Sequence, residues 1–287
     1  GTIAGLTFGG GADDDILLNS AAGTITTLGF GGDDGIDTLQ NAGGITTLNF
    51  GGGADGDTFV NLTGATIGTM FFGGNYVSNG SGGWQAMASG ADDGADALVN
   101  SGVITSLLFR GGADDDVLSN RAGATIATLN FSGDDGIDTL QNLGTTTTLT
   151  FGGGADDDVL SNSGTITGTL TFGGDQQFDA GGNLVPIGTL SDDGADTLVN
   201  YGTVGAIVFG GGADDDVLLN ASGGTVNTSL TFSGDAGDDI FRNEGTAGSL
   251  IFSGGADDDV LVNLSAGVGS ITFGGDAGAD ILLNQGA

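Results

Sequence analysis

Carboxylates are the one chemically capable group that this sequence supplies in quantity, and they recur at fixed spacing. Of 37 acidic residues, 34 fall in a glycine-rich loop that appears twelve times. It has two forms: GGADDD, as at Gly10 to Asp15, Gly153 to Asp158 and Gly211 to Asp216, and GDDGxD, as at Gly32 to Asp37 and Gly133 to Asp138. Only Asp175, Asp179 and Glu244 lie outside it. With no His, Cys or Lys in the chain, the available ligands are oxygens. Flexible loops that offer carboxylates and backbone carbonyls suit a hard cation, and suit Ca2+ better than Mg2+.

Repulsion sharpens that expectation. Two carboxylates stacked at the roughly 4.8 Å spacing of paired strands repel by about 0.9 kcal/mol in bulk water and about 3.5 kcal/mol at an effective dielectric of about 20. Summed over the repeats, this rivals the ~5–15 kcal/mol that holds a typical domain folded. A bare column should not stack, so a Ca2+ cofactor is expected. The expected metal ligands are the opening and closing Asp of each loop: Asp13 and Asp15, Asp33 and Asp37, Asp55 and Asp57, Asp92 and Asp96, Asp114 and Asp116, Asp134 and Asp138, Asp156 and Asp158, Asp192 and Asp196, Asp214 and Asp216, Asp235 and Asp239, Asp257 and Asp259, Asp276 and Asp280. Strand-like alternation places Asp156 and Asp158 on one side of the chain and Asp157 on the other. The bland reading is that acidic corners keep the protein soluble and that Asp is there because it supports turns.

The elements that must position these loops follow from the residues around them. A Phe precedes each loop, from Phe8, Phe30 and Phe50 to Phe252 and Phe273, and most successive Phe are 20 to 23 residues apart. A unit that short cannot bury its own apolar face, so neighbours must stack into a solenoid. Apolar residues alternate, as in Leu28-x-Phe30, and after the loop comes DxLxN, as in Asp158-Val159-Leu160-Ser161-Asn162. That is the period of short strands, two or three to a coil. The expected fold is all-β, a right-handed parallel β-helix (β-solenoid) of about twelve coils and roughly 58 Å length at the strand spacing. Stacking makes each column a ladder, and the Asn column from Asn19 to Asn284 is expected to face inward and pass amide hydrogen bonds from coil to coil.

A longer period overlies the short one. Segments starting at Gly1, Gly102 and Gly202 match, which divides a single domain, 1–287, into blocks 1–101, 102–201 and 202–287. The first two blocks carry insertions, at 74–90 and 174–190, expected to project from one face and to bind partners. The chain opens and closes on half-coils that complement each other, which predicts head-to-tail stacking of identical subunits. A net charge of -34 excludes nucleic acid, and no apolar run is long enough to insert in a membrane. Catalysis is not expected: Arg110, Arg121 and Arg242 are the only cationic side chains, each isolated. Ten Thr or Ser residues three before a Phe, among them Thr27, Thr47, Thr69, Ser106 and Thr128, form an outward hydroxyl row that suits a flat surface polysaccharide or ice.

Gly275 to Leu283 (GDAGADILL) and Gly32 to Gln40 (GDDGIDTLQ) resemble the haemolysin-type (RTX) calcium repeat GGxGxDxUx, and Gly111 to Ser119 does so with Asp replacing the second-half Gly. The resemblance implies Ca2+ held between coils by loop carbonyls and by Asp37, Asp116 and Asp280. The chain departs from it in having one motif per coil rather than one every nine residues. The other half-coil, as in Asn162-Ser163-Gly164-Thr165-Ile166-Thr167-Gly168, looks like the NxGTIxG repeats of bacterial autotransporter and haemagglutinin-type passengers. Together these resemblances imply an extracellular or bacterial cell-surface structural protein, a filament, sheath or surface fibre, or alternatively an adhesin stalk.

Overall fold

A computed structural model describes residues 1–73, 76–78, 84–86, 94–174, 176–178, 184–186 and 194–286. The chain is a parallel β-solenoid with two strands per coil. Long strands, such as Thr24–Asp34 and Thr125–Asp134, form one twelve-stranded sheet, and four-residue strands, such as Thr38–Asn41 and Thr139–Asn142, form a second. In the short sheet every coil pairs with the next in register, as where Leu39 meets Phe59 and Asn41 meets Asn61; in the long sheet Phe30 meets Phe50, and four later pairings shift register before the Leu column, as between Thr146 and Leu149. No helix occurs among the described residues.

Alternation carries the DxLxN residues as the sequence predicts. Leu140 and Asn142 are fully buried while Gln141 between them is exposed. Long strands add three inward columns, seen in one coil as Ile25, Leu28 and Phe30. The step of three from Ile25 to Leu28 breaks the period of two, and the pairing with the preceding coil skips Thr26 there. Burying one Leu or Phe stabilises by roughly 1.5–3 kcal/mol, and each coil contributes several.

The Phe column stacks face to face along most of its length: Phe72, Phe109, Phe131 and Phe151 follow at centroid spacings of 4.7, 4.6 and 4.8 Å with ring planes within 11°. It tilts to 35° between Phe232 and Phe252, where Phe241, one of two Phe in the inner column of the short sheet, meets both rings edge-on. The Asn column forms the expected ladder. Each side-chain amide donates to the Oδ1 of the next, from Asn19 to Asn41 at 2.8 Å through to Asn263 to Asn284 at 2.8 Å.

The described parts of the insertions form hairpins. Within them Tyr76–Ser78 pairs with Trp84–Ala86, and Gln176–Phe178 with Leu184–Pro186, as antiparallel hairpins. Each hairpin folds back along the rod: the first lies beside Thr24–Asp34 and Gly44–Gly53, the second beside Thr125–Asp134 and Thr145–Gly154. There the outward residues Gly31, Gly51, Ser132 and Gly152 are buried, whereas in the block without an insertion Ser233, the counterpart of Gly31 and Ser132, is half-buried and Ser253, that of Gly51 and Gly152, is exposed. The rest of both insertions lies outside the described residues.

Candidate functional site

The closing Asp of each loop is in phase with the Leu and Asn that follow it, so it points into the core. Asp37, Asp57, Asp96, Asp116, Asp138, Asp158, Asp196, Asp216, Asp239 and Asp259 are all at most 1 % exposed, while Asp15 and Asp280 are half-buried. One carboxylate oxygen is fixed by the coil before. The backbone N–H of Asp15 donates to Asp37 Oδ1 at 2.7 Å, that of Asp37 to Asp57 Oδ1 at 2.7 Å, and the pattern continues through Asp116 to Asp138 at 2.7 Å and Asp138 to Asp158 at 2.7 Å as far as Asp259 to Asp280 at 3.1 Å. The column is therefore a side-chain-to-backbone ladder running beside the Asn ladder.

The second oxygen has a different environment. No hydrogen bond reaches Oδ2 of Asp37, Asp138, Asp158, Asp239 or Asp259. It lies against the first glycine of its own loop. A methyl group added to Gly32, Gly133 or Gly234 would sit 1.9, 1.6 or 1.6 Å from Oδ2 of Asp37, Asp138 or Asp239. The same methyl would sit 2.2, 2.5 or 2.6 Å from the carbonyl oxygen of Gly52, Gly153 or Gly254 in the next coil. At these places, and likewise at Gly174 with Asp196 Oδ2 and the Gly211 carbonyl, the carboxylate oxygen occupies space beside a neighbouring carbonyl that only a glycine, having no Cβ, leaves to it.

Electrostatics in this column run against ionisation. Burial pushes Asp138 up to about 10, with the neighbouring Asp116 and Asp158 charges adding to it and the Asp116 N–H opposing. Burial likewise raises Asp158 to about 8, Asp239 to about 7 and Asp37 to about 6, again against a stabilising backbone N–H. Desolvation of a charge and repulsion from like charges act together here.

The opening and middle Asp residues take up a separate role on the outside. Asp33, Asp55, Asp114, Asp134, Asp156, Asp214, Asp235, Asp257 and Asp276 have positive φ, between 64° and 94°. Asp tolerates this left-handed turn conformation better than most residues. Several of these carboxylates cap the backbone of the adjacent coil: Gly35 N–H donates to Asp55 Oδ2 at 3.1 Å and Gly136 N–H to Asp156 Oδ2 at 3.2 Å. Middle residues do the same, with Ile36 N–H donating to Asp14 Oδ1 at 3.0 Å and Ile137 N–H to Asp115 Oδ1 at 2.9 Å. Asp13 is exposed, and Asp92 and Asp192 lie outside the described residues.

The loop thus does not gather its opening and closing Asp. Alternation predicts Asp156 and Asp158 on one side, yet Asp156 and Asp157 are exposed and Asp158 is buried. The positive φ of Asp156 turns the chain at that residue and resets the alternation. Among the described residues no group of three or more acidic side chains is placed to hold a metal ion. Of the cationic residues, Arg242 pairs with Glu244, its Nε donating to Oε1 at 2.7 Å, and the charge of Arg110 acts on Asp134.

Tested against the expected cation, the outer corner and the inner column give different answers. Outer carboxylates are dispersed and already serve as backbone acceptors. Inside, buried Oδ2 atoms that no hydrogen bond reaches stand beside carbonyl oxygens, an all-oxygen pair packed against a glycine that has no Cβ. That chemistry fits a hard cation. The structure defines the class of the molecule as a two-sheet parallel β-solenoid of tandem repeats. No known protein family, curated protein or solved structure matches the chain, so neither the haemolysin-type nor the autotransporter resemblance gains a relative from these comparisons.

Proposed function

We propose that this is a calcium-dependent structural β-solenoid of the bacterial cell surface or extracellular space, a stiff rod that stacks on further copies of itself into a filament or sheath. The observation that carries this reading is the buried carboxylate column, with an Oδ2 at Asp37, Asp138, Asp158, Asp239 and Asp259 that no hydrogen bond reaches. A buried polar oxygen without a partner costs roughly 1–3 kcal/mol, and a buried unpaired charge costs more. Asp37, Asp138 and Asp239, each with the glycine carbonyl beside it, would hold the ion. When bound there, Ca2+ supplies the positive charge that a stack of like charges lacks.

Self-stacking is supported by the sameness of every step. Leu meets Leu or Phe and Asn meets Asn wherever two coils pair, so a coil from another copy would meet the edge it presents with the pairing used throughout. A second reading, the adhesin stalk, is favoured by the hydroxyl row: Thr27, Thr47, Thr69, Ser106, Thr128 and Thr148 stand in register on successive strands, and Thr27, Thr69, Thr128 and Thr148 are exposed.

Thermal unfolding with and without excess chelator tests the calcium reading, and electron microscopy of the calcium-loaded protein tests the filament. A large fall in melting temperature on chelation and rods longer than one chain are expected. An unchanged melting curve in chelator sinks the calcium reading. Monomeric particles at high concentration in calcium sink self-stacking and leave the stalk.

A further inference from the structure

The sheet of four-residue strands is apolar on both faces, and the fold covers only one of them. Its inner face carries the Leu and Asn ladders. Its outer face presents two columns, one running through Val117, Val217 and Val260 and the other through Val99, Leu219 and Val262. Of the 24 outward positions 15 are aliphatic, eight in the first column and seven in the second, and none is acidic. Continuous apolar runs such as Val217-Leu218-Leu219 and Val260-Leu261-Val262 are typical of strands covered on both sides. The long sheet differs: the outward residues of Thr145–Gly154 that lead to its Phe are Thr145, Thr147, Thr148 and Thr150, which suit contact with water. Monomeric proteins rarely leave bare an apolar strip of more than about a few hundred Å².

We propose that two copies of this chain lie side by side on this face, axes parallel, each coil against the same coil of the second copy. Size supports that occupant. Four residues at ~3.3 Å make the strip ~13 Å wide, and twelve coils at ~4.8 Å make it ~58 Å long, so each copy offers ~750 Å². A standard stable interface takes ~800 Å² per partner. Charge supports it as well, because two copies that each carry a net charge of -34 can approach only through a face without free carboxylates. In the column that follows the Asn, Glu244 is the one acid, and Arg242 Nε donates to it at 2.7 Å. The orientation also follows from charge. The acidic loop lies where each short strand begins, and Arg121 lies just past the end of Val117–Asn120. A two-fold axis along the rods sets the acidic edge of one copy beside the strand-end edge of the other, and brings Arg121 level with the exposed Asp114 and Asp115 of the second copy. Antiparallel rods would instead set acidic edge against acidic edge, where like charges repel. The contact depends neither on calcium nor on end-to-end stacking, and it adds a lateral interface to the filament reading.

The test is sedimentation velocity and electron microscopy of the whole chain and of two variants that each add two charges. Leu219→Glu/Val262→Glu places them on the outer face of the short sheet, and Thr105→Glu/Thr147→Glu places them at exposed positions of the long sheet. The parent and the Thr variant should form particles two rods wide. The Leu219→Glu/Val262→Glu protein should be one rod wide, with the circular dichroism of the parent. Width reads this contact and length reads end-to-end stacking, so either can fail without the other. Single rods in the parent at high concentration overturn the proposal, and so does pairing that survives in the Leu219→Glu/Val262→Glu variant. Orientation is read separately. The chain has no Cys, so Val99→Cys carries the only thiol. A thiol cross-linker of about 10 Å, the spacing of packed sheets, should join two copies there, whereas antiparallel rods in full overlap would hold the thiols five coils, roughly 24 Å, apart along the axis. Pairs that do not cross-link overturn the parallel arrangement, and this readout stands even if the glutamate variant does not fold.

Discussion

Asp135 and Asp138 lie three residues apart in one loop and occupy different media. Asp135 is exposed, at a corner that water screens. Asp138 is buried, its carboxyl pushed up to about 10 by desolvation and by Asp116 and Asp158. The pattern recurs in the interior coils whose loops are described, so a loop that reads as one acidic patch is two columns. The outer column keeps turns in their left-handed conformation and caps backbone N–H groups. The inner column places carboxyls where ionisation costs most. The difference teaches that acid content by itself says little about where a counterion is needed: the requirement follows burial, and burial follows the phase of the chain.

The largest effect should come from the inner glycine. Gly133→Ala places a methyl 1.6 Å from Asp138 Oδ2 and 2.5 Å from the Gly153 carbonyl, and overpacking of this kind should cost about 3 kcal/mol. Gly9→Ala, whose added methyl meets nothing within 4 Å, is the control and should change little. Urea melts of the two variants measure the gap; equal stability would show that the inner gap is not closed.

Asp138→Asn should come next, with an effect whose sign depends on calcium. The amide keeps an oxygen for the Asp116 N–H and turns a donor toward the Gly153 carbonyl, so in chelator the variant should be more stable than the parent by roughly 1–3 kcal/mol. In calcium it should be less stable. A variant that is weaker in both conditions would indicate that Asp138 is not a charge awaiting a partner.

Proton linkage gives a third, smaller effect. The folded values of about 6 for Asp37, about 7 for Asp239 and about 8 for Asp158 are raised above the ordinary 3.8. Stability from the protonated carboxyls is therefore full below pH ~3.8 and is lost as pH rises through these values. In chelator the melting temperature should fall between about pH 4 and pH 8. Calcium should flatten the profile, and a fall of the same size with calcium present would break the link between the inner column and the ion.

The smallest effect should be at the surface. Asp135→Asn should alter stability by less than about 0.5 kcal/mol, as expected of an exposed residue. A loss comparable to that at Asp138 would erase the distinction between the columns.

The ladders were legible in the sequence. Leu28-x-Phe30 and Asp37-x-Leu39-x-Asn41 alternate with a period of two, and identical repeats of 20 to 23 residues can bury their apolar faces only by stacking in register. That reasoning yields the Phe column, the Leu column, the inward Asn ladder and the parallel solenoid. It also contained the signal for the inner carboxylate, because Asp37 is in phase with Leu39 and Asn41. What the tertiary structure alone decided is where alternation fails. The positive φ of Asp156 separates it from Asp158, and the step of three from Ile25 to Leu28 interrupts the alternation of the long strand. Neither break is visible from residue type, since each depends on local backbone geometry that the neighbouring coil holds in place. The bond to Asp138 Oδ1 and the gap beside Oδ2 involve Asp116 and Gly153, 22 and 15 residues away. Such partners become neighbours only when coils stack, so the sequence set the columns and the stacking set the chemistry within them.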